Sequence, residues 1–331
     1  MSETSLRITV DADDIASSRF AVSPAGETVH LVAMLARRRS GHPPLLRRFA
    51  RRWGTIRNDP GVRALAALQR QHEGVDFTSP PPAGMGQTIQ DDLAAVRTGS
   101  VGAAREEMAH VLGPLGAGTR DDEVASVLAA PDALDRLADA VERAWDVLLR
   151  SEWPRLLAVL QRDVQHRAGR LVALGWGAGL EGVHPRLGWH GGQIRLSGRP
   201  DETVSLAGRG LLFVPSVFLT QGLALSLHHP RQPMIRYSCR GTATLWETRP
   251  HRSPALAPLI GGTRARLLET LADPGSTTQL AGVLQASLGA TGGHLRVLLD
   301  AGLVTRERVG RSVVYRRTEL GDSLAGSARE F

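Results

Sequence analysis

The stretch Leu295–Thr318, "LRVLLDAGLVTRERVGRSVVYRRT", changes its period halfway. Leu295 and Leu298 keep helical spacing, and Gly302 stands where a left-handed C′ residue ends a helix. Alternation then takes over. "LVTRERV" and "SVVYRRT" are predicted as two strands joined at Gly310-Arg311, the kind of turn that closes a hairpin. Upstream, Ser287 is a candidate N-cap for a helix whose inward stripe is Thr291, Leu295 and Leu298. "TTQLAGVLQA" predicts a shorter helix presenting Leu280, Val283 and Leu284. "TRARLLETLADPG" predicts another, with Thr263 as N-cap and Asp273-Pro274-Gly275 as its stop.

Three short helices followed by a basic hairpin is the order of a winged helix-turn-helix. The third helix enters a major groove and the hairpin reaches the adjacent backbone. Charge agrees with that reading. Arg296, Arg306, Arg308, Arg311, Arg316 and Arg317 face only Asp300 and Glu307 within the same segment. A winged helix also serves in some proteins as a protein-interaction module, so the fold alone does not decide its partner.

"GHLRVLLDAGLVTRERVGRSVVYRRT" resembles the recognition helix and wing of ArsR-type repressors. His294, Leu295, Arg296, Leu298, Ala301, Gly302, Leu303, Val304, Gly310, Arg311 and Tyr315 fall on that pattern. The resemblance covers residues 260–320. A weaker one, carried by "DFTSPPP", "SEWPRLLAVLQRDV", "GVHP", "GRGLLFVPSVF" and "YSCRGTATLWE", links the longer N-terminal part to actinobacterial ArsR-type regulators with a large domain of unassigned function. The resemblance to ArsR-type repressors implies a homodimer on a double-stranded DNA operator. The DNA-contacting set it suggests is Ser287, Thr291, Gly292, Gly293, His294, Arg296, Arg306, Arg308, Arg311 and Arg316. One departure is Gly292-Gly293, where the family carries Ser-Arg. The pair gives either a loose helix with less base readout or a closer approach of backbone to DNA.

The whole chain, 331 residues long, has room for two unequal domains. The expected fold class is α+β: a mixed helical and β domain over residues 1–250, then the winged helix-turn-helix over 251–331. "SLRITV" alternates as a strand, and "PAGETVHLVAMLARRR" follows as a helix with Pro24 near its start. "DFTSPPPAGMG" is a proline-rich break, and residues 87–174 are mostly helical, with a turn near "GPLGAGT". Leu137, Val141, Trp145 and Leu148 share one face there. Strands dominate from His190 to Glu247. "LLFVPSVFL" is apolar on both faces and is expected to be central and buried, with Pro215 at a bulge or strand end. "ETRPHRSPALAP" is expected to be a linker.

All of the 40 Lys+Arg residues are arginine, and the formal net charge is +7. Eight arginines and no acid fall in residues 37–57. Arg47, Arg48, Arg51 and Arg52 have helical spacing around Leu45, Leu46 and Phe49. They form either a solvated face paired with acids such as Asp11, Asp13 and Asp14, or an additional contact to DNA backbone. No run of 18 apolar residues is present, the N-terminus lacks the pattern of a secretory signal, and Cys239 stands alone. The expected setting is the cytoplasm, with no membrane contact and no cofactor.

Metal sensing is not expected. The helix that carries metal ligands in ArsR-type metal sensors corresponds here to "TTQLAGVLQA", which has no Cys, His or Asp. Cys239 suits a buried thiol, and His184, His190, His228 and His229 match no zinc motif. "GAGLEG" (177–182) matches G-x-G-x-x-G without the strand-turn-helix context a dinucleotide needs. Ser216 in "VPSVF" lacks the glycines of a nucleophile elbow. The expected protein is therefore a DNA-binding regulator, a repressor in sense, whose large N-terminal domain dimerises, senses a small organic effector or a protein, or does both. The rival expectation is an enzyme or interaction module in that domain, with accessory DNA binding. Trp176, Trp189, Phe213, Phe218 and Trp246 are candidates to line an organic site or simply to fill the core.

Overall fold

The structure is a computed structural model describing residues 4–37, 44–69, 75–112, 121–219, 222–227, 231–242, 256–271, 274–309 and 312–326. It is α+β. Contacts divide the chain into two units, Met1–Ser151 with Arg167–Cys239, and Glu152–His166 with Arg240–Phe331. The expected boundary at residue 250 lies outside the described residues. That residues 152–166 belong with the C-terminal unit was not foreseen.

The first unit begins with β1 (Ser5–Thr9), α1 (Ala12–Ser17), β2 (Arg19–Phe20) and α2 (Pro24–Arg37). Helices α3 (Pro44–Ile56), α4 (Pro60–Ala67), α5 (Ile89–Arg97), α6 (Val101–Leu112), α7 (Asp122–Ala129) and α8 (Ala133–Ala144) follow. A π-helical turn, Trp145–Leu149, extends α8 and leads to α9 (Trp153–Leu174), within which the division between units falls. The unit closes with α10 (Trp176–Leu180), β3 (Leu187–His190), β4 (Gln193–Ser197), β5 (Glu202–Ser205), β6 (Leu212–Ser216), β7 (Leu223–Ser226) and β8 (Met234–Ser238). The predicted stripe Leu137, Val141, Trp145 and Leu148 is buried throughout.

Two four-stranded sheets result, ordered β3-β4-β1-β5 and β2-β6-β8-β7. They share one apolar core. Leu6, Ile8, Ile194 and Leu196 of the first sheet meet Phe213, Ile235 and Tyr237 of the second. Alternation sends Leu212, Val214 and Met234 to the opposite side of the second sheet, where they cluster with Ala21. That sheet is therefore buried on both faces, as the unbroken apolar run of β6 predicted. Pro215 lies within β6, in register with Tyr237 of β8 and followed by the paired Ser216, so the expected bulge or strand end is not found there. β2 pairs only through Leu212 and Phe213, so the missing N–H at Pro215 opposes no residue of β2.

The second unit contains α11 (Leu256–Ile260), α12 (Gly262–Thr270), β9 (Gly275–Ser276), α13 (Thr277–Leu284), α14 (Leu288–Asp300), β10 (Val304–Val309), β11 (Ser312–Arg317) and α15 (Glu319–Gly326). β10 and β11 pair antiparallel from Val304↔Arg317 to Val309↔Ser312, and β9 adds a third strand beside β11. Leu267, Leu268, Leu280, Leu284, Leu295, Leu298, Leu303 and Val304 form the core. Two local expectations are corrected. Thr263 lies inside α12, whose N-cap is Gly261 at φ 85°, and Leu256 already begins a helix within the expected linker. Ser276 and Gln279 form a capping box at α13, a signal spelled in the sequence as S-x-x-Q.

One glycine in the first unit is irreplaceable by geometry. Gly210 has φ +67°, and a Cβ there would lie 2.5 Å from the Ser17 carbonyl carbon. Its N–H donates to Asp14 Oδ1 at 3.1 Å. Gly210→Ala is expected to cost more than about 2 kcal/mol through strain and steric conflict, read as a lower midpoint in urea unfolding.

Candidate nucleic-acid interface

Ser287 caps α14 by accepting from Ala290 N–H at 3.2 Å, and Gly302 ends the segment at φ +68°. Leu295 and Leu298 are buried as the stripe requires. Thr291 is corrected as a candidate contact: at 1% exposure it serves the core of the unit. The exposed face carries Leu288, Gly289, Ala290, Gly293, Arg296, Val297 and Asp300, while Gly292 and His294 are half-buried. Arg296 is therefore the one long cationic side chain on the helix. A Cβ at Gly292 or Gly293 would meet nothing within 4 Å, so no neighbour in the unit demands either glycine.

Register divides the hairpin arginines. Arg306 opposes Tyr315 and Arg308 opposes Val313, so these four share a face. Arg316 opposes Thr305 on the other face and lies 3.9 Å from Glu307. Arg306, Arg308 and Arg316 are all exposed. Gly310 and Arg311 lie outside the described residues.

The arginine block does not act as one group. Arg38 and Arg39 lie outside the described residues, as does the side chain of Arg47. Arg52 donates through Nη1 to Leu148 O and Ser151 Oγ, both at 3.1 Å, and covers the Phe49 ring at 5.5 Å. Two of the three acids named as partners are used elsewhere. Asp11 caps α1, and Asp14 accepts from Gly210.

A buried polar cluster in the first unit escaped the sequence reading. Arg236, 4% exposed, donates to Ser79 O, and its Nε has no partner among the described residues. Glu27 accepts from Val217 N–H at 3.0 Å and Phe218 N–H at 3.3 Å, and Asp92 accepts from Ala25 N–H at 2.8 Å. Ser216 Oγ lies 3.2 Å from His30 Nδ1 and accepts from Leu219 N–H at 3.1 Å. Burial pushes Glu27 up to about 7 and Asp92 up to about 6, against their hydrogen bonds and the charge of Arg236. Burial, then Arg236 and Arg37, pushes His30 down. The available signal was a polar pair, Glu27 and His30, inside an apolar helix, with a lone arginine inside a buried strand.

A cavity of about 370 Å³ lies beside α10 and β3, lined by Leu180, His184, Pro185, Leu187, Gly188 and, from "GAGLEG", Gly177 and Gly182. Gly175 and short α10 replace any strand-turn-helix there. Trp176 stacks on Trp189 at 5.5 Å and also meets Phe213 at 5.8 Å, whereas Phe218 pairs with Phe49. Trp246, His228 and His229 lie outside the described residues. Cys239 is buried. No family model, curated protein or solved structure matches the chain.

Two measurements follow from these sites. The double change Gly292→Ala, Gly293→Ala is expected to stabilise α14 by up to about 1 kcal/mol per site. If DNA approaches the helix backbone closely, duplex affinity drops despite that gain; a merely loose helix leaves it equal or better. For Glu27, the raised folded value means the native state holds a proton that the unfolded chain releases between pH 4.5 and about 7. Its contribution is present below that window and is lost as pH rises through it. Asp92 acts in the same direction and His30 in the opposite one. In Glu27→Gln, the loss of stability from pH 5 to 7 should flatten by about 1.4 kcal/mol per pH unit, measured by urea unfolding at each pH.

Proposed function

We propose that the chain is a cytoplasmic, sequence-specific DNA-binding regulator of the ArsR type, acting as a homodimer through a winged helix-turn-helix in its C-terminal unit. The observation that carries this reading is the partition of α14 and the hairpin. Leu295, Leu298 and Val304 are consumed by the core, while Arg296, Arg306 and Arg308 remain exposed. In this reading α14 lies in the major groove with Arg296 toward base edges, and the hairpin contacts phosphate. The sparse polar equipment of α14 puts most of the affinity into the hairpin and into groove shape. Repression is the expected sense of regulation.

The effector is a small organic molecule or a protein, not a metal ion, because α13 carries no thiolate or imidazole. The cavity beside α10 is of a size that small molecules occupy. An effector acts by binding one state of the dimer better than another.

The test is a footprint on the DNA upstream of the protein's own gene. Protection of two related half-sites, about 10 base pairs apart or a multiple of that, is expected for a two-fold dimer. Arg308→Ala and Arg311→Ala should each weaken binding to all sequences and make the salt slope shallower by about one unit. Arg296→Ala should instead relax discrimination between sequences. Unchanged affinity in both hairpin variants removes the hairpin from the mechanism.

A further inference from the structure

We propose that the open face of the sheet β3-β4-β1-β5 binds the phosphate backbone of duplex DNA, independently of sequence, as a second nucleic-acid surface carried by the first unit. It goes beyond the reading of the C-terminal unit and does not rest on it.

The placement comes from register. The inner face of this sheet holds Leu6, Ile8, Ile194 and Leu196 in the core. Alternation therefore puts Arg7 and Arg195 on the outer face, and the two are directly opposed across the antiparallel β1–β4 pair. Arg186 belongs to the same face, because the β3–β4 ladder continues past Leu187↔Leu196 through the Ser197 N–H bond to Arg186 O. Like charges directly opposed on neighbouring strands repel. Nothing in the unit relieves this fully. Arg7 reaches Thr203 Oγ1 at 3.3 Å and Asp201 at 3.5 Å, at the corner of the sheet. The side chains of Arg186 and Arg195 make no hydrogen bond or ion pair among the described residues, and both are exposed. Gly188 opposes Arg195, and the His190 ring fills the space that a Cβ at Gly188 would take.

Three guanidiniums on one flat face, with a single corner carboxylate, are complementary to a row of phosphates, each of which a guanidinium binds in a bidentate way. Other occupants fit less well. A single strand needs aromatic platforms, and Trp189, the aromatic residue of β3, lies on the inner side with Ile194. A membrane surface needs exposed apolar side chains among the cations, and the outer positions of β1 and β4 are Ser5, Arg7, Thr9, Gln193, Arg195 and Ser197. A small phosphorylated molecule needs concavity, and the cavity beside α10, which touches this sheet at Leu187 and Gly188, is lined by neither Arg7 nor Arg195.

The experiment measures the full chain on a duplex of unrelated sequence over a salt series. Arg186→Gln with Arg195→Gln removes two unpaired side chains, so its melting temperature should equal that of the unsubstituted protein. Each lost phosphate contact lowers the slope of log K against log salt by about 0.9, so the double variant should lose between one and two units. Adding Arg7→Gln should lower it again. Arg296→Ala with Arg308→Ala is measured in parallel. A normal slope in the sheet variant beside a reduced one in the second pair overturns this inference and leaves the C-terminal reading intact. A reduced slope in the sheet variant alone supports the inference and counts against that reading. Binding to anionic vesicles that is tighter than to duplex, and abolished by the sheet variant, overturns it in favour of a lipid surface.

Discussion

A guanidinium in the middle of a strand buried on both faces is the constraint around which the first unit closes. Arg236 occupies the centre of β8, where a sheet packed on both sides would otherwise take Val or Ile. Its desolvation is offset by Asp76, Asp92 and Glu27 and by the Ser79 carbonyl. Those partners come from α2, α5 and the proline-rich segment between α4 and α5, so a single charge ties three separate stretches to one strand. Gly26 belongs to the same arrangement: a Cβ there would stand 2.8 Å from Ser23 Oγ and 3.5 Å from Arg236 Nε. Buried ion networks of this kind seldom add net stability over an apolar core, but losing one partner leaves the others uncompensated. The network therefore selects one packing of α2 on the sheet.

The second unit is governed by a different limit, its small size. A core of leucines on three short helices has little area to spare, and α14 commits Thr291, Leu295 and Leu298 to it. The start of α9 lies against α13. A Cβ at Gly282 of α13 would lie 2.9 Å from Pro154 O, so the two helices touch backbone to backbone. What remains outside is an α14 face made largely of Leu288, glycines, Ala290 and Val297, with cations concentrated on the hairpin.

Legibility followed the physics of each element. Helices and strands with one buried face announced themselves by period: α2, the Leu137–Leu148 stripe, β1, β4, β8 and the β10–β11 pair were all readable. Gly302 was readable because it marks a known backbone conformation. The caps were less so, since Thr263 and Gly261 compete within three residues and only tertiary packing decides. The cluster of Glu27, His30, Ser216 and Arg236 was hidden for another reason. Its members are 209 positions apart at the extremes, and charge in a sequence carries no mark of whether water or protein will surround it. The same holds for the outer sheet face, where β1 and β4 stand nearly 190 residues apart and opposition of Arg7 to Arg195 exists only after pairing.

Net charge, for that reason, says little until each arginine is placed. Several are absorbed in pairs: Arg63 with Asp121 and Glu123, Arg97 with Asp139 and Glu142, Arg143 with Asp59, Arg150 with Asp146, and Arg231 with Glu107. Arg52 and Arg236 are spent on backbone carbonyls. Pairing of exposed charges contributes little stability, yet it cancels the long-range field that would draw in a polyanion. The field that survives comes from cations whose neighbours on the same strand face are neutral, such as Arg195 beside Gly188. An arginine count of eight in residues 37–57 pointed first to that segment, but Arg52 there is a structural donor. Strand register, which sets Arg7 directly opposite Arg195, is a stronger guide to where cations gather than their count along the sequence.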